Sequence, residues 1–62
     1  MTNQEKAILY DNCVRESDVL QRRNSKLKSE YVTDIPEEIQ IEINRNNARI
    51  DELVKKLESL FN

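Results

Sequence analysis

The chain has 62 residues with a formal net charge of −2, and 35% of its residues are charged, but it contains no Gly, no His and one Cys. One Cys excludes an internal disulfide, and the lack of His removes the usual zinc ligand and the usual catalytic imidazole. A domain this small buries only a marginal core, so we expect further stabilisation from self-association or from a partner protein.

The composition also indicates the fold class. Long side chains with good helix propensity are frequent and Gly is absent, which predicts an all-α protein without tight glycine turns. No apolar run approaches the roughly twenty residues of a membrane span. The opening "MTNQEKAIL" lacks the long apolar stretch of a signal peptide. We therefore expect a cytoplasmic protein that does not associate with membranes.

The first predicted element is a helix over about 3–31. Thr2 and Glu5 have the spacing of a capping box, in which each side chain accepts a hydrogen bond from the other residue's backbone N–H. Steps of three and four residues, typical of one helical face packed on a partner, then connect a series of positions. They are Tyr10, Cys13, Ser17, Leu20, Asn24, Leu27 and Tyr31.

The segment "YVTD" is the predicted break, with a turn at 32–34. Val and Thr are weak helix formers, and the residue before Pro36 resists helical geometry. Asp34 and Glu37 repeat the capping-box spacing, which predicts a second helix over about 35–61 with Pro36 in its first turn. Because the connection is so short, the helices are expected to form an antiparallel two-helix hairpin.

The second helix has a regular seam, whose positions alternate in steps of four and three: Ile39, Ile43, Asn46, Ile50, Leu53, Leu57 and Leu60. The turn sets Tyr31 against Ile39, and this choice fixes every other facing pair. The only Asn of the second seam, Asn46, then faces Asn24, the only Asn of the first. Two amides satisfy each other, whereas an Asn facing Leu would cost about 1 to 3 kcal/mol. The Asn24–Asn46 pair therefore supports the predicted register.

Two rows flank the seam. On one side Glu16 is predicted to face Lys56, but Arg23 faces Arg49 and Glu30 faces Glu42. This flank is therefore expected to be charged, imperfectly matched and solvated. The other row has one charge and becomes apolar toward the chain ends. We call it the low-charge stripe; its facing pairs are Ala7 with Phe61, Val14 with Val54, Gln21 with Asn47, and Lys28 with Gln40.

An apolar stripe beside a heptad seam is typical of an association surface. We therefore expect two hairpins to pack as a homodimeric four-helix bundle. The residues predicted to carry self-association are Ala7, Leu9, Val14, Val54 and Phe61. The alternative is that these side chains only cover the open end of a monomer.

Few residues suggest chemistry. Cys13 is the only candidate nucleophile, but the register directs it at Leu57, so a core role is favoured over reactivity, with an intermolecular disulfide as the alternative. Glu37, Glu38 and Glu42 form an acidic cluster in the first turns of a helix, where the dipole favours negative charge. Helix capping and solubility are the favoured interpretation, and metal binding is the alternative. Without Gly there is no phosphate-binding loop. We expect a protein that is not an enzyme and needs no metal or other cofactor.

One basic segment suggests a second kind of function, the binding of a negatively charged partner. Residues 22–28, "RRNSKLK", carry four positive charges and no negative one. A solvated basic face is the favoured interpretation, because the net charge is −2 and Glu16 and Asp18 lie nearby. Binding of nucleic acid or of an acidic partner would use a basic set comprising Arg15, Arg22, Arg23, Lys26 and Lys28.

Two segments carry a family resemblance: the opening "MTNQEKAIL" in the first predicted helix, and Asp51-Glu52-Leu53, with Phe61 eight residues after Leu53, in the second. The first is similar to the start, and the second resembles the second helix, of the plasmid copy-number regulators of the Rop family. The resemblance implies a hairpin that dimerises into a four-helix bundle and stabilises a complex of two RNA loops. Short helical hairpins among the type III secretion co-chaperones are similar in size and layout.

From these features we expect a small interaction protein that acts as a regulator, adaptor or inhibitor. It would self-associate and bind a partner protein. The alternatives are a Rop-like RNA-binding regulator that uses the basic part of helix 1, a co-chaperone of the type III secretion kind, and a coiled-coil piece of a larger assembly.

Overall fold

A computed structural model describes residues 1–61, and within them the chain forms two helices, α1 (Asn3–Glu30) and α2 (Glu37–Leu60). The helices pack along each other as a hairpin with dimensions of 47 × 15 × 13 Å. The predicted all-α fold with two packed helices is confirmed. In the part of the chain described, neither helix combines the length and the apolar character needed to cross a bilayer.

The predicted capping box is present at the start of α1. The Thr2 hydroxyl accepts a hydrogen bond from the Glu5 backbone N–H at 3.1 Å, and a Glu5 carboxylate oxygen accepts one from the Thr2 backbone N–H at 3.4 Å. At the other end, the Tyr31 N–H donates to the Leu27 carbonyl at 3.1 Å, but Tyr31 itself has left helical geometry. Helix α1 therefore ends at Glu30, one residue before the predicted limit.

Helix α2 begins at Glu37, two residues later than predicted, and the predicted Asp34–Glu37 capping box is wrong. Pro36 is extended, with φ −57° and ψ 149°, and within residues 1–61 no side chain caps this terminus. The Pro36 carbonyl instead accepts from the N–H groups of Ile39 and Gln40, each at 3.0 Å. The physical reason is that Pro36 occupies the cap position itself, which leaves Asp34 two residues too far from the helix.

The core is a single seam between the two helices. Leu27, Ile43 and Leu53 are each 2% exposed, and Cys13 is 4% exposed. All seven predicted seam positions of α2 are buried or half-buried, and so are those of α1 except Tyr10 near the open end. The heptad pattern thus identified the buried face, while most of the remaining surface of each helix stays exposed.

Candidate association surface

A small cluster of amides crosses the middle of the seam. Asn46 donates from Nδ2 to Oδ1 of Asn24 at 2.9 Å, and Asn24 donates from its own Nδ2 to Oδ1 of Asn47 at 3.0 Å. Asn24 is 6% exposed, so both ends of a buried amide are bonded. Asn47 was not assigned to this cluster from the sequence, because it lies outside the heptad series on the low-charge stripe. Its position next to Asn46 was the only sequence signal.

On the charged flank, opposite charges are paired more completely than the predicted facing pairs implied. Arg23 binds Glu42, with Nε 2.8 Å from Oε2, and Arg49 binds Glu16, with Nε 2.6 Å from Oε2. Arg49 also contacts Glu52 at 3.0 Å. The expectation of an imperfectly matched flank is therefore wrong. Long side chains reach across the seam to the opposite charge one heptad away, and they avoid the like charge directly opposite.

These contacts bias the protonation of the flank. The hydrogen bond from Arg49 lowers the pKa of the Glu16 carboxyl below its ordinary value of 4.5, and Arg23 does the same for the pKa of Glu42. The same contacts raise the pKa of each arginine. Because the four side chains remain partly exposed, solvent weakens each pair. Even so, at neutral pH the two ion pairs keep opposite charges in contact along this flank.

The low-charge stripe carries exposed apolar side chains. Val14 is 40% exposed, Val54 is 42% exposed and Phe61 is 75% exposed. At the open end of the hairpin, the Phe61 ring meets Tyr10 edge to face, with centroids 5.9 Å apart and planes at 78°. An open, mainly apolar groove surrounds this contact; it is lined by Asn3, Lys6, Ala7, Tyr10, Leu60 and Phe61. The structure thus brings Ala7 and Phe61 to one groove.

Leu9 lies elsewhere. It is half-buried and lines a second groove that includes Lys56 and Met1, whereas Ala7 and Phe61 line the first. Leu9 is seven residues before Glu16, so heptad spacing places it in the row of the charged flank. Among the residues predicted for self-association, Leu9 is the one that does not share the low-charge stripe.

The basic set is partly neutralised by neighbouring carboxylates. Arg15 contacts Asp11 at 3.0 Å, and Arg22 contacts Asp18 at 3.1 Å. Arg23 takes part in the charged flank described above. Among residues 1–61, no ion pair within 4.0 Å involves Lys26 or Lys28. The segment consequently presents less concentrated positive charge than its sequence suggests.

The one candidate nucleophile, Cys13, lies in the seam. It is a free thiol, buried between the helices.

Comparison with protein-family models, with curated proteins and with solved structures gave no significant match. The resemblance to Rop-type regulators therefore depends on the short segments quoted above.

Proposed function

We propose that this protein is a non-enzymatic interaction module that self-associates through the low-charge stripe into a homodimeric four-helix bundle. The observation that carries the proposal is the asymmetry between the two rows beside the seam. Cross-helix ion pairs occupy one row, whereas the other keeps Val14, Val54 and Phe61 exposed. A stripe of this kind next to a heptad seam favours packing against further helices.

One hairpin alone can bury only a small apolar surface, so a dimer has much to gain. Full burial of a Val or Phe side chain contributes about 1.5 to 3 kcal/mol. A dimer buries two copies of each side chain of the stripe, and the gain must exceed an association cost of about 4 to 15 kcal/mol. Val14, Val54 and Phe61 are 40%, 42% and 75% exposed, so each gains only that fraction of a full burial. Two copies together contribute about 5 to 9 kcal/mol, which reaches the lower part of that range. The gain also supplements a core in which few side chains are fully buried.

In this proposal the assembled bundle acts as a regulator, adaptor or inhibitor by binding a protein partner, and it performs no reaction of its own. The burial of Cys13 supports the second part, because a thiol that is 4% exposed is poorly placed to attack a substrate. The RNA-binding alternative has less support, since Arg15, Arg22 and Arg23 are each engaged by a carboxylate.

The test is a Val54→Asp variant studied by sedimentation at micromolar concentration. A charge at this position would be buried in the dimer but exposed in the monomer, so we expect association to be lost while helicity is retained. Val19→Asp is the matched control, because Val19 is 64% exposed on α1 and lies outside the stripe. A wild-type protein that sediments only as a 7.4 kDa species would overturn the proposal. So would a Val54→Asp variant that associates as the wild type does.

A further inference from the structure

We infer that the second copy binds the low-charge stripe with both turns at the same end of the bundle, the syn arrangement. This inference rests on the proposed self-association and specifies its geometry. In the opposite, anti arrangement, the turn of one copy would lie beside the open end of the other. The two arrangements bring different parts of the stripe together, so the stripe's own polarity discriminates between them.

The stripe is graded along its length. It comprises four layers, which from the open end to the turn are Ala7 with Phe61, Val14 with Val54, Gln21 with Asn47, and Lys28 with Gln40. The first two layers are apolar and the last two are polar. A surface with such a gradient complements a second copy of itself only when the two gradients run in the same direction.

The syn arrangement matches like with like. A two-fold axis along the bundle sets α1 of one copy beside α2 of the other at the same height. Val14 then packs on the second copy's Val54, and Ala7 leaves room for the second copy's Phe61 ring. In the polar half, Gln21 meets the second copy's Asn47. Apolar surface is buried against apolar surface, and amides meet amides.

The anti arrangement sets α1 beside α1 and α2 beside α2 in opposite directions. Val14 would then face Gln21 of the other copy, and Val54 would face Asn47. Each such contact buries an amide against a methyl group and leaves the amide without a hydrogen-bond partner in the other copy. Neighbouring helices are antiparallel in both arrangements, so helix dipoles do not favour either one.

Hydrogen-bonding capacity supports the same choice. Asn47 already accepts from Asn24, and this bond uses its Oδ1 and leaves the two hydrogens of its Nδ2 group for other acceptors. Gln21 donates from Nε2 to the Ser17 hydroxyl at 3.3 Å, a bond that does not use its carbonyl oxygen. The Asn47 donor of one copy thus complements the Gln21 acceptor of the second. The hydrogen bond from Asn24 holds Asn47 in place on this surface.

The available area is also adequate. A face 47 Å long and 15 Å wide offers roughly 700 Å², close to the ~800 Å² that each partner contributes to a standard stable interface. That area is reached only when the two hairpins overlap over their whole length. An anti dimer shifted so that only the apolar halves overlap would bury about half as much.

The experiment is a distance measurement between two spin labels. A nitroxide is attached at Val32→Cys in a Cys13→Ala background, because Val32 is 81% exposed in the connection between the helices. Pulsed dipolar spectroscopy then measures the separation of the two turns. In the syn dimer we expect a distance of at most about twice the 15 Å width of a hairpin. A distance close to the 47 Å length would overturn the syn arrangement while leaving self-association intact.

A second label keeps the outcomes distinct. A nitroxide at Glu58→Cys, near the open end, must also give a short distance in the syn dimer and a long one in the anti dimer. The absence of any dipolar signal from both labels, at a concentration where sedimentation was expected to show a dimer, would overturn the proposed function itself. Cys13→Ser replaces Cys13→Ala if the alanine background loses helicity, since it conserves the size of this seam residue.

Discussion

Among residues 1–61, Asn24 is the polar residue that is buried, and both its Nδ2 and its Oδ1 form hydrogen bonds with side chains of α2. A slip of one heptad would set it against an apolar residue and leave those atoms unpaired. The amide therefore disfavours other registers more than it stabilises this one, as buried polar groups do in coiled coils. We therefore propose that its role in the hairpin is to fix the alignment of the two helices.

We predict that Asn46→Leu lowers the free energy of unfolding by about 1 to 3 kcal/mol, because it removes the donor to a buried Asn24 oxygen. Replacing both Asn24 and Asn46 by Leu should raise stability and broaden the distribution of registers or oligomeric states. Urea denaturation and the dispersion of amide NMR signals measure the two effects. Asn12→Leu, at an exposed position of α1, is the control for added apolar surface. An Asn46→Leu protein as stable and uniquely folded as the wild type would contradict the register role.

The regular spacing of the two seams decided which of the three asparagines could be predicted from the sequence. Asn46 was recognisable because it interrupts a regular apolar series, and the turn then assigned Asn24 as its neighbour. Asn47 was not, because an exposed amide beside a seam looks like any solvated residue. In the structure, its side chain accepts a hydrogen bond from the buried Asn24.

At the scale of elements, the two helix starts show why identical spacing has different outcomes. Thr2 and Glu5 form a capping box because both residues lie in a continuous local segment with no competing constraint. Asp34 and Glu37 have the same spacing, but Pro36 lies between them and takes the cap position. Proline geometry restricts the preceding residue, and that restriction prevailed over the side-chain pattern.

The charged flank exposes a different limit of sequence reasoning. The register fixes which backbone positions face each other, but Arg and Glu side chains are long enough to pair with a residue one heptad away from the facing position. Arg23 and Arg49, expected opposite each other, each bind a glutamate of the other helix. A prediction from backbone register alone therefore set Arg23 opposite Arg49, whereas in the structure each arginine forms an ion pair across the seam.

Acid should weaken the hairpin through this flank. The folded-state pKa values of Glu16 and Glu42 are lowered by their arginines. Their ion pairs therefore add stability above the ordinary value of 4.5, and this contribution is lost as the pH falls through the lowered pKa values. We predict that the urea midpoint falls less between about pH 7 and about pH 3 in a Glu16→Gln, Glu42→Gln double variant than in the wild type.

The control for that comparison is Glu58→Gln, which removes an exposed carboxylate that, within the described residues, forms no ion pair. Its urea midpoint should fall on acidification as steeply as that of the wild type. Equal acid sensitivity in the double variant and in Glu58→Gln would show that the cross-helix ion pairs add nothing measurable.

At the scale of the whole molecule, folding and association are expected to be linked. A hairpin with one seam has a marginal core, and a dimer adds the low-charge stripe to it. Mass action then makes the apparent stability depend on protein concentration. The sequence predicted the hairpin because its two seams are periodic and its connection is short. Spacing also located the low-charge stripe, but whether two copies pack on it depends on contacts between chains, which no intramolecular spacing rule describes.

We predict that the thermal midpoint of the wild type rises with protein concentration over the micromolar range, as circular dichroism would record. The Val54→Asp midpoint should be lower and independent of concentration, since it reports the hairpin alone. The midpoint of Val19→Asp should keep the wild-type dependence. A wild-type midpoint that stays constant over a hundredfold dilution would show that the folded unit is a single chain.

The amide cluster has one more consequence. Its hydrogen bonds run from Asn46 inside the hairpin through Asn24 to Asn47 on the low-charge stripe. A change at Asn24 would therefore alter Asn47 without touching the surface directly. In the proposed dimer, a substitution in the interior of the hairpin would thus weaken association while every outer residue stays the same.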